Sequence, residues 1–324
     1  MGRVRDSRFD TLKGFLILSV VFGHFFTHDD SHGVVSETMA NFIYSFHMPL
    51  FVFVSGYFSN NHKVIRGVVR LLETYVVFQL IKGIAYRYSV LWMFIMPAPM
   101  LWYLVALILW RLLYAGLDRI GIKITWQLLL VLVCLSVAAG FVPWIGREYA
   151  LSRLIVFAPY FFLGVLVKEK PIIDVIKEKI NYLLGVGILF TVLLISILFA
   201  VNLISIRDVF AGTSPYPLND TWFFALARLL CYFTSTIISI AFIRVFSFDN
   251  KIMGIVGKGS LKYYMFHGLF LMAVEFFEFP WSTVFAVIYA SVVSIVIFFF
   301  NKTQLSDFAI TPVSFVIDKV KKRE

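Results

Sequence analysis

Arg8-Phe9-Asp10-Thr11-Leu12-Lys13-Gly14-Phe15-Leu16-Ile17-Leu18-Ser19-Val20-Val21-Phe22-Gly23-His24 decides how this chain is read, because a charged start runs into an apolar helix-length segment that carries a histidine. A second segment follows with the same character: Phe46-His47-Met48-Pro49-Leu50-Phe51-Val52-Phe53-Val54-Ser55-Gly56-Tyr57-Phe58. An ionisable group placed in hydrocarbon is costly, so His24 and His47 are functional candidates by default.

Working outward, apolar stretches recur at lengths near the roughly 20 residues that a helix needs to cross a bilayer core. Ten can be counted, at about 11–28, 38–60, 71–90, 99–116, 125–142, 152–168, 181–203, 221–246, 259–279 and 281–300. The third is interrupted by Glu73, Gln79, Lys82 and Arg87. With 60% hydrophobic and only 15% charged residues, the chain is excluded from the soluble globular class, whose charged fraction is about 25%. The expected fold is all-α, a polytopic integral membrane bundle of about ten transmembrane helices, with residues 1–300 as one transmembrane domain and 301–324 as a basic tail.

The net charge of +10 raises the question of nucleic acid. If the N-terminus is cytoplasmic, however, nineteen basic residues from Arg3 to Arg323 fall in inward loops and only Arg87, Arg147 and Arg207 in outward ones. That bias predicts both termini in the cytoplasm. The basicity is topology, no basic groove with interleaved aromatics appears, and no nucleic-acid partner is expected. The tail is expected to be a solvated or lipid-surface segment. Arg3, Arg5 and Arg8 precede an apolar run as in a secretory signal, but bulky Gly23-His24-Phe25-Phe26 replaces a small-residue cleavage site, so an uncleaved first helix is expected. Cys134 and Cys231 lie inside apolar helices and predict neither a disulfide framework nor metal ligation.

Eleven residues at about 100° each bring Lys13 and His24 to one helix face, about 16 Å apart, and Asp10 joins it one turn below Lys13. Histidine has the ordinary pKa best suited to moving a proton near neutral pH, so His24 is the expected base or nucleophile. The plainer alternative is a histidine donating to a backbone carbonyl in a bundle. His47 and His267 also fall near mid-membrane, whereas His28, His32 and His62 lie at or beyond helix ends. No two of the interior histidines are spaced as metal ligands, so no metal is expected.

Arg153 and Arg228 sit where water is scarce and would either polarise a reacting carbonyl or pair with Glu148, Asp220 or Glu275. Lys82 and Glu73 are expected to face the bundle interior, and Arg111 and Arg244 to snorkel. Trp92, Trp102 and Tyr103 fit an interfacial aromatic belt. The connection 203–220, with Pro215, Pro217 and Gly212, is a loop that serves either as a connector or as a rim for a polar acceptor.

Asp10, Lys13-Gly14, Gly23-His24, Phe46 to Leu50 and Ser55-Gly56-Tyr57 resemble the opening of the acyltransferase 3 family, polytopic membrane enzymes that O-acylate glycans and related acceptors. Leu101-Trp102-Tyr103-Leu104, Phe161-Phe162-Leu163-Gly164 and Gly259-Ser260-Leu261-Lys262-Tyr263-Tyr264-Met265-Phe266-His267 extend the resemblance over nearly the whole chain. Many members place arginine eleven residues before the first histidine; Lys13 here is similar to the branch of sugar O-acetylases. The resemblance implies an acyl-CoA donor, with acetyl preferred, and a hydroxyl acceptor on a glycan, glycolipid or similar molecule at the plasma membrane of a bacterial cell. Within that reading the candidates are His24, Asp10 and His47 for catalysis, Lys13, Arg66, Arg70 and Arg153 for donor binding, and Arg228, His267 and Trp102 for acceptor binding; for His47 and His267 the plainer alternative is helix-to-helix hydrogen bonding. Some relatives carry a further hydrolase-like domain; none is expected here, so transfer would be completed within the membrane domain or with the help of an unrelated partner. The rival reading is a transporter or flippase for a glycan or lipid-linked sugar, which would use the same interior charges as a path. The visible sequence shows no internal repeat, which counts mildly against it.

Overall fold

The structure is a computed structural model that describes residues 6–28, 33–61, 64–202, 204–277 and 281–321. Expectations that touch Arg3, Arg5, His32, His62, Lys63, Leu203, Lys322 and Arg323 lie outside the described residues. Among the described residues all regular structure is helical.

The order is α1 Ser7–Thr27, α2 Val34–Tyr44, α3 His47–Tyr57, α4 Val64–Ala85, α5 Val90–Ile95, α6 Trp102–Arg119, α7 Trp126–Ala139 and α8 Leu151–Val167. Then come α9 Ile172–Lys179, α10 Tyr182–Val201, α11 Arg207–Ala211, α12 Thr221–Phe246, α13 Lys251–Lys258, α14 Ser260–Phe276, α15 Thr283–Phe300, α16 Gln304–Ile310 and α17 Pro312–Val320. Six helical stretches among the described residues are long and apolar enough to cross a membrane: Ser7–Thr27, Val34–Tyr57, Glu148–Val167, Tyr182–Val201, Thr221–Phe246 and Thr283–Phe300. The other apolar segments are helical too, but α7 has 14 residues and α14 has 17, and α4 carries Arg66, Arg70, Glu73 and Lys82.

The segment expected as one helix over 38–60 is two helices, broken at Ser45-Phe46. The cause is Pro49, which has no N–H for the Ser45 carbonyl and whose ring would collide with it in a continuous helix. Ser235 Oγ supplies the missing donor to that carbonyl at 2.7 Å.

The chain divides into two compact units. One comprises the described residues of Met1–Phe51, Glu169–Ala211 and Leu230–Phe299. Here α1 is started by Asp6, whose side chain accepts from the Arg8 N–H at 3.0 Å, and it packs against α13, α2 and α14. The contact with α13 is backbone to backbone: a Cβ on Gly14 would lie 2.2 Å from the Met253 carbonyl oxygen, and one on Gly257 would lie 1.8 Å from that of Asp10. Small residues that let helix backbones touch are the usual device of membrane helix packing, where lipid supplies no hydrophobic drive between helices. Arg8 reaches across to α9, 2.5 Å from Asp174, and holds that carboxyl below the usual carboxylate range. The pairing therefore contributes stability above the ordinary carboxylate pKa and loses it as pH falls through the depressed one.

The other unit comprises the described residues of Val52–Lys168, Gly212–Leu229 and Phe300–Glu324. It uses a second reciprocal pair of glycines: a Cβ on Gly56 of α3 would lie 1.9 Å from the Phe161 carbonyl oxygen of α8, and one on Gly164 would lie 2.2 Å from that of Phe53. Lys82 is 1% exposed, facing the interior as the sequence suggests; it donates to the Pro99 carbonyl at 2.9 Å. Glu73 is only half-buried and instead accepts from the first N–H groups of α17, including that of Ser314 at 3.1 Å. The expected surface tail is thus a helix pair tethered to α4, with no buried residue in α17.

Gln79, 5% exposed, holds the Met93–Ala98 turn with three hydrogen bonds. Its amide donates to the carbonyls of Met93 and Met96 at 2.8 and 2.9 Å and accepts from Ala98 N–H at 2.8 Å. Gln79→Leu removes all three, and each buried backbone group left unpaired costs roughly 1–3 kcal/mol. A marked fall in the midpoint of thermal unfolding of the solubilised protein is expected. An unchanged midpoint would mean that the turn draws its hydrogen bonds from elsewhere.

Candidate active site

Three helices of the first unit bring the interior histidines together. His24 lies three residues from the end of α1, and its Nδ1 is 2.9 Å from Nε2 of His267 on α14. The two rings are nearly parallel, at 10°, with centroids 5.2 Å apart. His24 is half-buried, whereas His267 is wholly buried. The Nδ1 of His267 lies 2.8 Å from the Tyr263 carbonyl oxygen, one turn back on its own helix.

Tyr44 joins the third histidine to this pair. Its ring meets His24 edge-on at 6.5 Å and His47 at 4.8 Å. His47, 2% exposed, also places its Nδ1 2.8 Å from the Ile43 carbonyl oxygen. A carbonyl only accepts, so that nitrogen carries the proton. Ile43 lies beside the break that Pro49 imposes, and His47 thereby satisfies a carbonyl of the last turn of α2, a helix end that always needs such partners. His28 at the C-terminus of α1 lies 3.4 Å from Glu275 of α14.

Asp10 and Lys13 form an ion pair at 2.9 Å, Asp10 being almost fully buried and Lys13 partly exposed. Asp10 is fourteen residues before His24, about 21 Å along the helix, so the group that touches the imidazole is His267 and not this carboxylate. The pair sits at the close crossing of α1 and α13, where Thr11 Oγ1 also accepts from the Asn250 N–H at 3.1 Å.

An apolar cavity of about 640 Å³ lies in the same unit, lined by Phe15, Leu18, Ser19, Phe22 and Phe26 of α1 and by side chains of α2, α10, α12 and α15. At about 100° per residue these α1 positions lie roughly opposite to Lys13 and His24. The cavity therefore does not open on the imidazoles.

The remaining candidates belong to the second unit. Arg153 stacks over the Trp102 ring at 4.7 Å, and Trp102 packs on Phe157 at 5.3 Å. Two residues in the left-handed region, Tyr149 with φ 52° and Ala150 with φ 58°, turn the chain into α8 just ahead of Arg153. Such conformations in non-glycine residues cost energy and persist only where their surroundings demand them. Arg228 is 7% exposed and donates to the Ser136 carbonyl at 3.0 Å, with its guanidinium 4.5 Å over the Tyr216 ring. It thus meets the last carbonyls of α7, the end of a helix that favours a cation, rather than the carboxylates weighed from sequence. Arg66 is exposed, and Arg70 pairs with Asp318 at 2.5 Å. Ser55 Oγ and the Tyr103 hydroxyl lie 2.6 Å apart, joining two motifs quoted from the sequence.

Sequence reasoning passed over Tyr44, Tyr263 and Ser235. Pro49 is a signal that points to the break and to the need for a donor such as Ser235. Nothing local marks Tyr44, whereas Tyr263 stands four residues before His267 in the Gly259 to His267 stretch, the spacing that sets its carbonyl beside that ring. Among the described residues no group of three or more His, Cys, Asp or Glu side chains is placed to hold a metal ion.

In this arrangement a half-buried imidazole backed by a second, buried one can accept a proton from a hydroxyl or attack an acyl carbon. No curated protein and no solved structure matches the chain. A family model described as an acyltransferase domain matches residues 6–301. With the apolar helices and the histidines they carry, the match makes this chain a multi-pass membrane acyltransferase, a member of the acyltransferase 3 family.

Proposed function

We propose that the chain moves an acetyl group from cytoplasmic acetyl-CoA to a hydroxyl of a glycan, glycolipid or similar polar acceptor at or across the plasma membrane. The observation that carries the reading is the half-buried His24 imidazole in contact with buried His267. An enzyme that acylates hydroxyls needs such a group, and a transport path has no need of it at this position. As general base, His24 takes the proton from the acceptor hydroxyl, and the oxygen attacks the thioester carbonyl carbon. The tetrahedral intermediate collapses, the carbon–sulfur bond breaks, and the coenzyme A thiolate recovers the proton from the imidazolium. As acyl carrier, a His24 ring nitrogen would instead attack the thioester carbon and release the coenzyme A thiolate; the acceptor oxygen would then attack the acetylimidazolium, the carbon–nitrogen bond would break, and the hydroxyl proton would go to the thiolate.

Lys13, Arg66 and Arg70 are each proposed from the sequence as donor-binding cations; within their own units Lys13 is paired with Asp10 and Arg70 with Asp318. Arg153, stacked on Trp102, is proposed to lie along the donor path. Arg228 and Trp102 are proposed to border the acceptor. The cytoplasmic orientation of both termini follows from the distribution of basic residues.

The test is incubation of radiolabelled acetyl-CoA with membranes that contain or lack the chain, followed by extraction of glycans and lipids. Label entering either fraction only in the presence of the chain is the expected result. No transferred label and no binding of acetyl-CoA would favour a transporter instead.

A further inference from the structure

We propose that His267 is a positioning residue that fixes the tautomer of His24, and does not contact the acceptor; this rests on the acyl-transfer reading above. His267 has 0% of its surface exposed, so it offers no face to a substrate. Its two nitrogens are both engaged in contacts that define where protons lie. The Tyr263 carbonyl oxygen, 2.8 Å from His267 Nδ1, only accepts hydrogen bonds, so this nitrogen carries a proton.

A neutral imidazole has only one such proton, which leaves His267 Nε2 as an acceptor. That nitrogen faces His24 Nδ1 at 2.9 Å, so His24 must place its own proton on Nδ1. The opposite polarity would require His267 to be an imidazolium with no exposed surface, a state that burial strongly disfavours. The neutral His24 ring is therefore held with its lone pair on Nε2. This is the atom that takes the hydroxyl proton or attacks the acyl carbon.

The relay runs in one direction throughout. When His24 Nε2 gains a proton, His24 Nδ1–H continues to donate to His267, whose Nδ1–H continues to donate to the carbonyl. No proton has to leave the pair, and His267 stays neutral. The ring planes, 10° apart, are compatible with an in-plane hydrogen bond. The Tyr263 hydroxyl donates to the Ser294 carbonyl at 3.2 Å, fixing α14 against α15 at the residue whose carbonyl orients the pair.

The experiment compares wild type, His267→Leu and His267→Gln in lipid nanodiscs, following transfer from labelled acetyl-CoA to a membrane glycan and lipid extract. In parallel, nitrogen-15 spectra of histidine-labelled protein report which nitrogen of His24 is protonated. With the tautomer released, kcat for His267→Leu is expected to fall about 100-fold or more, the range for a mis-set catalytic base, while KM for acetyl-CoA stays near wild type. His267→Gln, whose amide can donate to the Tyr263 carbonyl and accept from His24, is expected to recover most of that loss. The wild-type spectrum is expected to show His24 protonated at Nδ1.

The positioning role is overturned by a wild-type His24 protonated at Nε2, by a leucine variant that keeps kcat, or by a glutamine variant that falls as far as leucine. A rise in acceptor KM at unchanged kcat also overturns it, because that would mark a substrate contact. Each of these outcomes leaves acyl transfer standing, since the wild type transfers label in all of them. Absence of transfer by the wild type overturns the acyl-transfer reading, and the positioning role with it.

Discussion

Substituting His24 is expected to reduce acetyl transfer by 10²- to 10⁴-fold, the contribution typical of a positioned acid–base group, without unfolding the bundle. The choice of substitution matters because His24 Nδ1 serves His267 at 2.9 Å. Alanine would leave a wholly buried acceptor unpaired, at a cost of roughly 1–3 kcal/mol. Glutamine can offer an amide N–H to His267 and yet has no basic nitrogen. His24→Gln is therefore the sharper test, with loss of transfer expected in a protein whose chromatographic behaviour matches wild type. Retention of transfer within tenfold by His24→Gln would remove the imidazole from the mechanism. Rapid quenching of wild type with labelled acetyl-CoA and no acceptor then separates base from carrier, because only a carrier leaves acid-precipitable label on the chain.

Much of the architecture is legible in the sequence because membrane helices announce themselves by length and apolarity. The segment expected at 221–246 is a helix over Thr221–Phe246, and those expected at 152–168, 181–203 and 281–300 differ from α8, α10 and α15 by a residue or two at most ends. What the sequence leaves dark are partnerships between distant residues. His24 and His267 are 243 positions apart, and nothing in either local pattern says that their rings meet.

The same holds for Arg228, whose guanidinium finds the carbonyl of Ser136 on α7 rather than a carboxylate, because a helix C-terminus offers oxygen that a composition-based reading does not count. Pro49 is the counter-example. Its effect on the Ser45 carbonyl is local and follows from the absent N–H, so the break between α2 and α3 was available from sequence and was obscured by the continuous apolar run. His47 is understood in the same local terms, since its Nδ1 meets the Ile43 carbonyl beside that break.

Glycines 14, 56 and 164 enter the sequence reading only as letters of a resemblance, and their physical role yields the second large effect. Gly257→Ala is expected to destabilise the protein severely, because the new Cβ would sit 1.8 Å from the Asp10 carbonyl oxygen and 2.8 Å from the Gly14 nitrogen. Both are backbone atoms, so no rotamer change relieves the clash, and α1 and α13 must move apart. Alanine also improves intrinsic helix propensity by about 1 kcal/mol, and the sign of the net effect depends on whether overpacking exceeds it. Insertions into well-packed interiors typically cost 1–3 kcal/mol, with larger values where nothing can yield, and a contact this short with backbone belongs at the upper end.

Gly254→Ala is the internal control: it lies on the same helix, a Cβ there meets nothing within 4 Å, and only the propensity gain applies. The two variants should therefore move the thermal midpoint of the solubilised protein in opposite directions, Gly257→Ala sharply down or failing to accumulate, Gly254→Ala level or slightly up. Equal midpoints for the pair would mean that α1 and α13 do not touch through their backbones, and the packing account of Gly14 would fail with it.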